Sequence, residues 1–446
     1  MKNSTRNFRI AIFLFGVLSI LFHWDIKTSV LTDITGSRTR FRTGQGDSFL
    51  GAVSAVFYGN LPSDIINWWQ LLLLLQTILV SIGIYFLFSQ RILDTSYKSF
   101  YLTLFFCFLV INLGVSQSRD GLMIAGTTLT IGIISKFPRN LWLSILASGI
   151  YVFVFAFRPW LALAMYPIIY SYLRYSYSIP KILTFFICIF LIVLPALTEA
   201  GTSKIWNIKP GYPQQTVFIH DLASTYCLSP IQSSKNLARK VLLNLSNDSR
   251  SFELICDFYV PNTWQSTTSK NMVDPILAGL NSPITAIAPG NDALFKVLQD
   301  GWLKVVVSDP KTYLQIRAFF LTQVLLGGDS TSISIREKFQ LIRQDLSFKS
   351  IKNFLGAVYD LPWKLAVIMH VITPISVIFL FMVIYWRSPS RLKSQFAKAI
   401  NITFLLWLGI TTIGFVSDNG RYTYLPSLLV LGNLLWENSF KKRITN

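Results

Sequence analysis

The sequence predicts an all-α integral membrane protein, a polytopic helical bundle of about ten transmembrane helices with a large, mostly helical extracytoplasmic loop region. Of its 446 residues, 52% are hydrophobic and 14% are charged, whereas an ordinary soluble domain has roughly 25% charged residues. Several apolar runs reach the ~17–25 residues that a spanning helix needs. They are continuous, without the alternation of polar and apolar residues that membrane strands show, and they therefore favour helices.

Ten apolar runs are candidates for membrane helices. They cover residues 8–24, 69–88, 97–115, 120–135, 141–157, 159–173, 182–198, 365–386, 399–416 and 422–437. The runs at 120–135 and 159–173 are short, as in tilted, re-entrant or partly inserted helices. The first run follows Lys2, Arg6 and Arg9 but has no small-residue cleavage site, so we expect an uncleaved first helix.

Basic residues predict the orientation of these helices. With the N-terminus in the cytoplasm, every short inner connection carries Lys or Arg, from Arg9 to Lys441. This is the positive-inside pattern, and it predicts a multi-pass protein with both termini cytoplasmic and the large loops extracytoplasmic. The same loops account for the net charge of +19, so we do not expect nucleic acid as a partner.

Two long polar segments divide the chain into three regions. Residues 1–198 form an N-terminal transmembrane module that includes the first outer loop, residues 25–68. Residues 199–364 form an extracytoplasmic loop or cap region, and residues 365–446 carry the C-terminal transmembrane helices. Within the cap, the apolar segment near 310–328 is too short to span, so we predict a helix lying in the membrane interface.

The first outer loop contains the stretch RTRFRTGQGDSF, with Arg38, Arg40, Arg42 and Asp47. Three arginines on the outer side oppose the positive-inside trend. Beside a glycine-rich turn, they would suit a phosphate or pyrophosphate group, and Asp47 would then lie next to that anion as a base. The alternative is a solvated basic loop against anionic lipid headgroups.

The short outer turns are almost free of charge, with three exceptions. Arg119 and Asp120 begin a middle helix, Arg158 precedes a later one, and Arg421 and Tyr422 begin the last. Ionisable residues at a membrane edge predict a functional site. Alternatives are a carboxylate at the positive end of a helix dipole for Asp120, and a snorkelling cation in an aromatic belt for Arg421.

The cap region holds a second set of candidates. His220 and Asp221 follow a short run of β-forming residues, and the pair would orient a base or bind a metal; the alternative is an ordinary polar helix start. Asp309 and Pro310 predict the beginning of a helix. Arg317 on that helix would reach lipid headgroups.

The cysteines and the sequence motifs bear on disulfide formation, metal binding, nucleotide binding and serine hydrolysis. Cys107 and Cys188 lie in apolar runs, whereas Cys227 and Cys256 lie in the polar cap. An oxidising compartment would allow a disulfide between the latter two, but their spacing alone does not decide between a disulfide and two free thiols. Cys/His spacings typical of a metal site and motifs for nucleotide binding or serine hydrolysis are absent from the sequence.

In its order of elements the chain resembles the integral-membrane C-type glycosyltransferases, and more closely a group of bacterial multispanning proteins often placed with them. The matching elements are Arg119–Asp120, Arg158–Pro159, the segment His220–Asp221–Leu222–Ala223, Trp302 followed by 309–317, and Arg421–Tyr422. Arg119 departs from the lysine usual in this group. The first-loop arginines have no clear counterpart there, so Asp25, Asp33 and Asp64 stay alternatives to Asp47.

The resemblance implies transfer of a sugar from a polyprenyl-phosphate donor to a glycan, lipid or protein acceptor of the cell envelope, on the outer face of a bacterial cytoplasmic membrane. Catalytic roles then fall to Asp47, as the base that takes the acceptor proton, and to Asp120, as a second carboxylate. Fixed guanidinium groups would stabilise the leaving phosphate. The substrate-binding candidates are Arg38, Arg40, Arg42, Arg119, Arg158, His220, Asp221, Arg317, Arg421 and Tyr422. No cofactor is required, and a divalent cation stays an open alternative.

Other functions fit parts of the pattern. A transporter or flippase for lipid-linked saccharides would have charges near the bilayer midplane and two related halves. A polymerase or ligase for O-antigen or capsule polysaccharide would share the layout and differ in its acceptor. A membrane scaffold without catalytic activity is a further alternative.

Overall fold

A computed structural model describes residues 2–23, 38–39, 41–43, 51–62, 67–88, 103–104, 106–107, 110–111, 119–209, 211–212, 214–246, 255–256, 287–288, 290–326 and 395–414. The regular structure in these ranges is helical, and no strand forms in them. The all-α prediction is therefore confirmed for the part of the chain that is described.

The α-helices of the described ranges follow one another with short connections in several places. They are α1 (Lys2–His23), α2 (Ala52–Asn60), α3 (Trp68–Phe88), α4 (Arg119–Lys136), α5 (Leu141–Ala156), α6 (Tyr166–Tyr177), α7 (Lys181–Ile205), α8 (Gln215–Leu228), α9 (Gln232–Leu243), α10 (Asp292–Ser308), α11 (Pro310–Leu326) and α12 (Gln395–Gly414). A 3-10 helix, Pro159–Met165, lies between α5 and α6.

Two of these helices, α3 and α7, are long and apolar enough to cross a membrane by length and composition. Shorter apolar segments are Gly121–Lys136, Leu141–Ala156 and Lys398–Ile410. These helices indicate membrane association, but they do not confirm ten transmembrane helices. The predicted helices at 365–386 and 422–437, and most of the predicted helix at 97–115, lie outside the described residues.

The predicted helix at 159–173 is not one continuous α-helix. Its first seven residues form the 3-10 helix, and α6 then begins at Tyr166 with Pro167 in its first turn. A proline has no backbone N–H and cannot continue an α-helical ladder from the preceding turn, although it is tolerated at a helix start. Pro167 therefore separates the two segments.

Glycines allow α3 and α4 to pack with their backbones in contact. A Cβ atom at Gly83 would lie 2.6 Å from the backbone nitrogen of Leu129, and one at Gly132 would lie 2.5 Å from the carbonyl oxygen of Gly83. Side chains larger than hydrogen do not fit at these two positions. Close approach through small residues is the usual packing mode of helices in membranes.

The ends of several helices meet in two groups. At one end, Arg9 lies over the ring of Tyr85, 5.4 Å from its centroid, and Lys136 lies 4.7 Å from the same centroid. The charge pattern assigns these three residues to the inner side. At the opposite end, an apolar cluster joins the start of α3, the start of α4 and the end of α5 through Trp68, Leu122, Ala156 and Phe157.

Helix α7 exposes apolar side chains along one face, opposite the buried Thr184, Cys188 and Pro195. Large exposed residues include Ile182, Phe185, Phe186, Ile189, Phe190, Val193 and Leu197. An apolar surface of this kind is rare on a monomeric soluble protein and marks a surface that meets lipid or another protein.

Helices α8, α9, α10 and α11 belong to the cap region, where an apolar core forms between α8, α9 and α10. Residues 216–219, predicted as a β-forming run, are instead part of α8. Ile219, Leu222 and Ala223 are buried at helical spacing in this core, so packing overrides the local preference for a strand. The sequence left a disulfide between Cys227 and Cys256 open, and the structure contains it: Cys227 at the end of α8 is bonded to Cys256, with 5.2 Å between their Cα atoms.

Candidate functional site

Two arginines of the first outer loop bind the carboxyl end of α2. Nη1 of Arg38, a buried side chain, donates to the carbonyl oxygens of Tyr58 at 2.6 Å and Leu61 at 2.8 Å. Nε of Arg42 donates to the carbonyl oxygen of Gly59 at 3.0 Å. The last carbonyls of a helix have no partner within the helix, and positive charge is favoured there by the helix dipole. Both guanidinium groups therefore stabilise α2, a role that the sequence did not predict.

Glu199, near the end of α7, binds the other end of α2. Its carboxylate accepts hydrogen bonds from the backbone N–H groups of Ala52 and Val53, the latter at 2.8 Å. A negative charge is favoured at this end of a helix. The residue before the helix, Gly51, has a φ of 97°, which favours glycine. Glu199 was not among the residues predicted from the sequence. The feature that could have indicated it is an acidic side chain directly after the apolar run 182–198.

Other predicted site segments meet α2 from the transmembrane side. The ring of Tyr58 lies 5.8 Å from the ring of Phe157, the residue before Arg158. Leu122, two residues after Asp120, belongs to the same apolar cluster. The structure thus brings the loop of Arg38, the start of α4 and the segment of Arg158 together around one short helix.

Arg158 itself occupies the turn between α5 and the 3-10 helix. Its backbone N–H donates to the carbonyl oxygen of Phe155 at 2.9 Å, and its own carbonyl accepts from the N–H of Leu161 at 3.0 Å. Its side chain is 5% exposed. Arginine is seldom buried unless an anion or hydrogen-bond acceptor lies nearby. A turn that holds a buried guanidinium group at this end of the bundle is suited to binding an anion.

The remaining candidates of this first group are not described in full. Arg40, Asp47, Arg421 and Tyr422 lie outside the described residues. Arg119 and Asp120 form the first turn of α4, but their side chains are also outside the described part. Their roles stay predictions from the sequence.

Asp221 is the centre of the second group, in the cap. Its carboxylate, buried at 2% exposure, forms an ion pair with Arg317 of α11 and accepts a hydrogen bond from Nε1 of Trp302 at 2.9 Å. Burial raises the pKa of Asp221, and the Arg317 guanidinium and the Trp302 N–H oppose that rise. The sequence pattern predicted Asp221 and Arg317 as substrate ligands, but it did not indicate that these two side chains bind each other.

His220 does not act with Asp221 as one unit. Consecutive residues of an α-helix project about 100° apart, and the two side chains meet different neighbours. Nδ1 of His220 lies 3.4 Å from Oγ of Ser224, which also donates to the His220 carbonyl oxygen at 2.9 Å. Within the described ranges, no group of three or more His, Cys, Asp or Glu side chains is placed to hold a metal ion.

Asp309 begins α11, as the sequence predicted. Its Oδ1 accepts from the backbone N–H of Thr312 at 3.1 Å, and its Oδ2 accepts from the hydroxyl of Ser229, just after α8. Burial alone would raise the pKa of Asp309, but the hydrogen bonds from Ser229 and Thr312 hold it below its ordinary value. Asp309 and the Asp221–Arg317 pair both connect α8 with α11, so they position the cap helices.

The two groups suit different tasks. The first group surrounds α2: Arg38 and Arg42 are bonded to its last carbonyls, and Arg158 lies in the turn beside Phe157, whose ring contacts Tyr58. The second is a closed network in which the carboxylate of Asp221 already has two partners, which suits a structural role. No protein-family model, no curated protein and no solved structure matches the chain.

Proposed function

We propose that this chain is an integral membrane glycosyltransferase of the C type. It transfers a sugar from a polyprenyl-phosphate donor to a glycan, lipid or protein acceptor of the cell envelope, at the outer face of a bacterial cytoplasmic membrane. The observation that supports the proposal best is the convergence on α2 of three segments that the resemblance assigns to the site. These segments are the first outer loop, the start of α4 and the turn of Arg158.

A membrane location is the first part of the proposal. Its support is the exposed apolar surface of α7, the length of α3 and α7, and the glycine contact between α3 and α4. A lipid-linked donor would present its phosphate at the membrane surface and its prenyl chain between helices. The convergent segments lie at the end of the bundle that the charge pattern assigns to the outer side.

The second part of the proposal concerns the reaction. The acceptor hydroxyl attacks the anomeric carbon of the donor, a new glycosidic bond forms, and the bond from that carbon to the phosphate oxygen breaks. Polyprenyl phosphate leaves with the bonding electron pair, and Arg158 stabilises the charge that develops on it. A carboxylate takes the proton of the acceptor. We assign this base to Asp47, and we assign Asp120 as a second carboxylate beside the reacting atoms.

Arg38 and Arg42 act indirectly in this proposal. Their N–H groups are bonded to carbonyls at the end of α2, so we assign them to holding the first outer loop in place. Asp221 and Arg317 likewise maintain the cap rather than contact the donor. Both assignments differ from the substrate-binding roles that the resemblance implies.

The test is sugar transfer by the purified protein in lipid nanodiscs, with radiolabelled polyprenyl-phosphate sugars as donors. Asp120→Asn, Asp47→Asn and Arg158→Gln should each lower transfer by about 10²-fold or more, because each removes a group acting on the reacting atoms. Arg139→Gln and Asp300→Asn are matched controls at exposed positions, and they should retain wild-type transfer.

Two results would reject the proposal. One is full transfer by the Asp47, Asp120 and Arg158 variants. The other is no transfer from any donor together with movement of lipid-linked saccharide across sealed vesicles, which would favour the transporter. Elongation of a polysaccharide rather than addition of one sugar would instead identify a polymerase.

A further inference from the structure

The corner between α10 and α11 carries an exposed apolar edge that the cap core does not use. Leu303 and Val307 of α10 are 53% and 72% exposed, and Leu314 of α11 is 64% exposed. They lie on the outer stripes of the two helices, because Val305 of α10 and Ile316 of α11 are buried on the opposite stripes. The three positions lie four and seven residues apart in sequence, on either side of Asp309, where the two helices meet.

Lysines accompany this edge. Lys304 follows Leu303 on α10, Lys311 lies about one turn before Leu314 on α11, and the acidic Asp300 lies about one turn before Leu303. Both lysines are exposed. An apolar stripe bordered by lysines is the pattern of a helix that lies in the interface of a bilayer containing anionic lipids, with its aliphatic side chains at the acyl boundary and its ammonium groups among the phosphates.

Helix α11 also contacts the apolar helix α12. Helix α12 in turn packs on the 3-10 helix and on α6, next to the core of the bundle. The corner is therefore part of a continuous path from the cap to the helices that we assign to the membrane. This continuity favours a lipid surface over a soluble partner as the occupant of the edge.

We propose that the edge formed by Leu303, Val307 and Leu314, with Lys304 and Lys311, binds the surface of the bilayer through anionic phospholipid headgroups. The proposal rests on the membrane location proposed above but not on the reaction. Docking of this edge fixes the height of the cap above the membrane.

The test uses the full-length protein in liposomes, labelled with an environment-sensitive fluorophore at single introduced cysteines. Val307→Cys and Leu314→Cys report on the edge. Phe186→Cys on the exposed surface of α7 reports on membrane insertion, and Ser233→Cys is an exposed polar control on α9. The two natural free cysteines are buried. Quenching is measured with lipids that carry a nitroxide at the level of the headgroup or of the upper acyl chain.

The expected result is a blue-shifted emission at positions 307 and 314, quenched by the lipid nitroxides, while position 233 is unaffected. In liposomes with anionic lipid, Lys304→Gln and Lys311→Gln should each lower the ratio of docked to undocked cap by about fivefold. In liposomes of zwitterionic lipid alone, the same substitutions should have little effect.

Each other outcome has a distinct meaning. Quenching at position 186 without quenching at 307 and 314 overturns the docking proposal and leaves the membrane location intact. No quenching at any position overturns the membrane location itself. A blue shift at 307 and 314 without quenching by lipid means that protein covers the edge, either another segment of this chain or a second copy, and also overturns the proposal.

Discussion

Removal of the positive partner of Asp221 gives the sharpest test of the cap. In Arg317→Met, the aliphatic volume is largely kept, but a carboxylate at 2% exposure loses its counter-charge and keeps only the hydrogen bond from Trp302. Breaking a buried ion pair from one side costs about 3–5 kcal/mol. Since 1.4 kcal/mol corresponds to about a factor of ten, amide protection in α8 should fall by roughly 10²-fold or more.

The assay is hydrogen exchange of the full-length protein, followed for peptides of α8 and α11. Arg239→Met is the matched control, since Arg239 is exposed on α9, and substitutions at such positions usually change stability by less than about 0.5 kcal/mol. Asp221→Asn added to Arg317→Met should restore most of the lost protection, because a neutral amide needs no counter-charge and still accepts the Trp302 N–H.

The loss of amide protection in Arg317→Met should depend on pH. Burial already raises the pKa of Asp221 in the folded protein, and removal of Arg317 removes a group that opposes that rise. A carboxyl group whose pKa is higher folded than unfolded stabilises the fold at low pH, and this stability is lost as pH rises through the folded pKa. The variant should therefore recover protection on acidification. Equal protection in the variant and the wild-type protein at neutral pH would refute the assignment of a buried ion pair.

Three further perturbations test other contacts. Glu199→Gln removes the negative charge at the start of α2 and should cost about 0.5–2 kcal/mol, measured as faster amide exchange in α2. Gly83→Leu should prevent α3 and α4 from packing, with loss of folded protein in detergent by size-exclusion chromatography, whereas Gly149→Leu, with open space around the glycine, should be tolerated. Serine at both Cys227 and Cys256, which are 29 residues apart, should destabilise the cap by about 3–4 kcal/mol, measured by thermal unfolding followed through tryptophan fluorescence.

Each of these has an outcome that contradicts it. Unchanged exchange in α2 would mean that the Glu199 carboxylate does not hold the helix. A folded Gly83→Leu protein would mean that α3 and α4 are not in backbone contact. An unaltered unfolding temperature after removal of the disulfide would place residues 255–256 outside the cooperative unit of the cap.

Helix positions could be predicted largely from apolar runs, because burial and membrane insertion both select continuous apolar sequence. The predicted run 69–88 corresponds closely to α3, and 182–198 lies within α7. The run at 159–173 could not be predicted as a 3-10 helix followed by α6, since that outcome depends on how Pro167 is accommodated by neighbouring helices.

The contacts of the site were predicted less well, because they depend on long sequence separation. Asp221 meets Trp302 and Arg317 after intervals of 81 and 96 residues, and a sequence alone does not indicate which distant charges pair. Glu199 was missed for the same reason, because the backbone N–H group of Ala52, one of its partners, lies 147 residues earlier in the chain. Arg38 was a candidate because an arginine in the first outer loop opposes the positive-inside trend. Its bonds to carbonyl oxygens depend on where α2 ends.

The bond between Glu199 and α2 has a mechanical consequence. Pro195 lies inside α7, four residues before Glu199, and a proline within a helix removes a hydrogen bond and favours bending at that point. The Glu199 carboxylate, which is bonded to the start of α2, therefore lies about one turn after Pro195. Bending of α7 at Pro195 would therefore move α2, together with the Arg38 and Arg42 side chains bonded to the other end of α2.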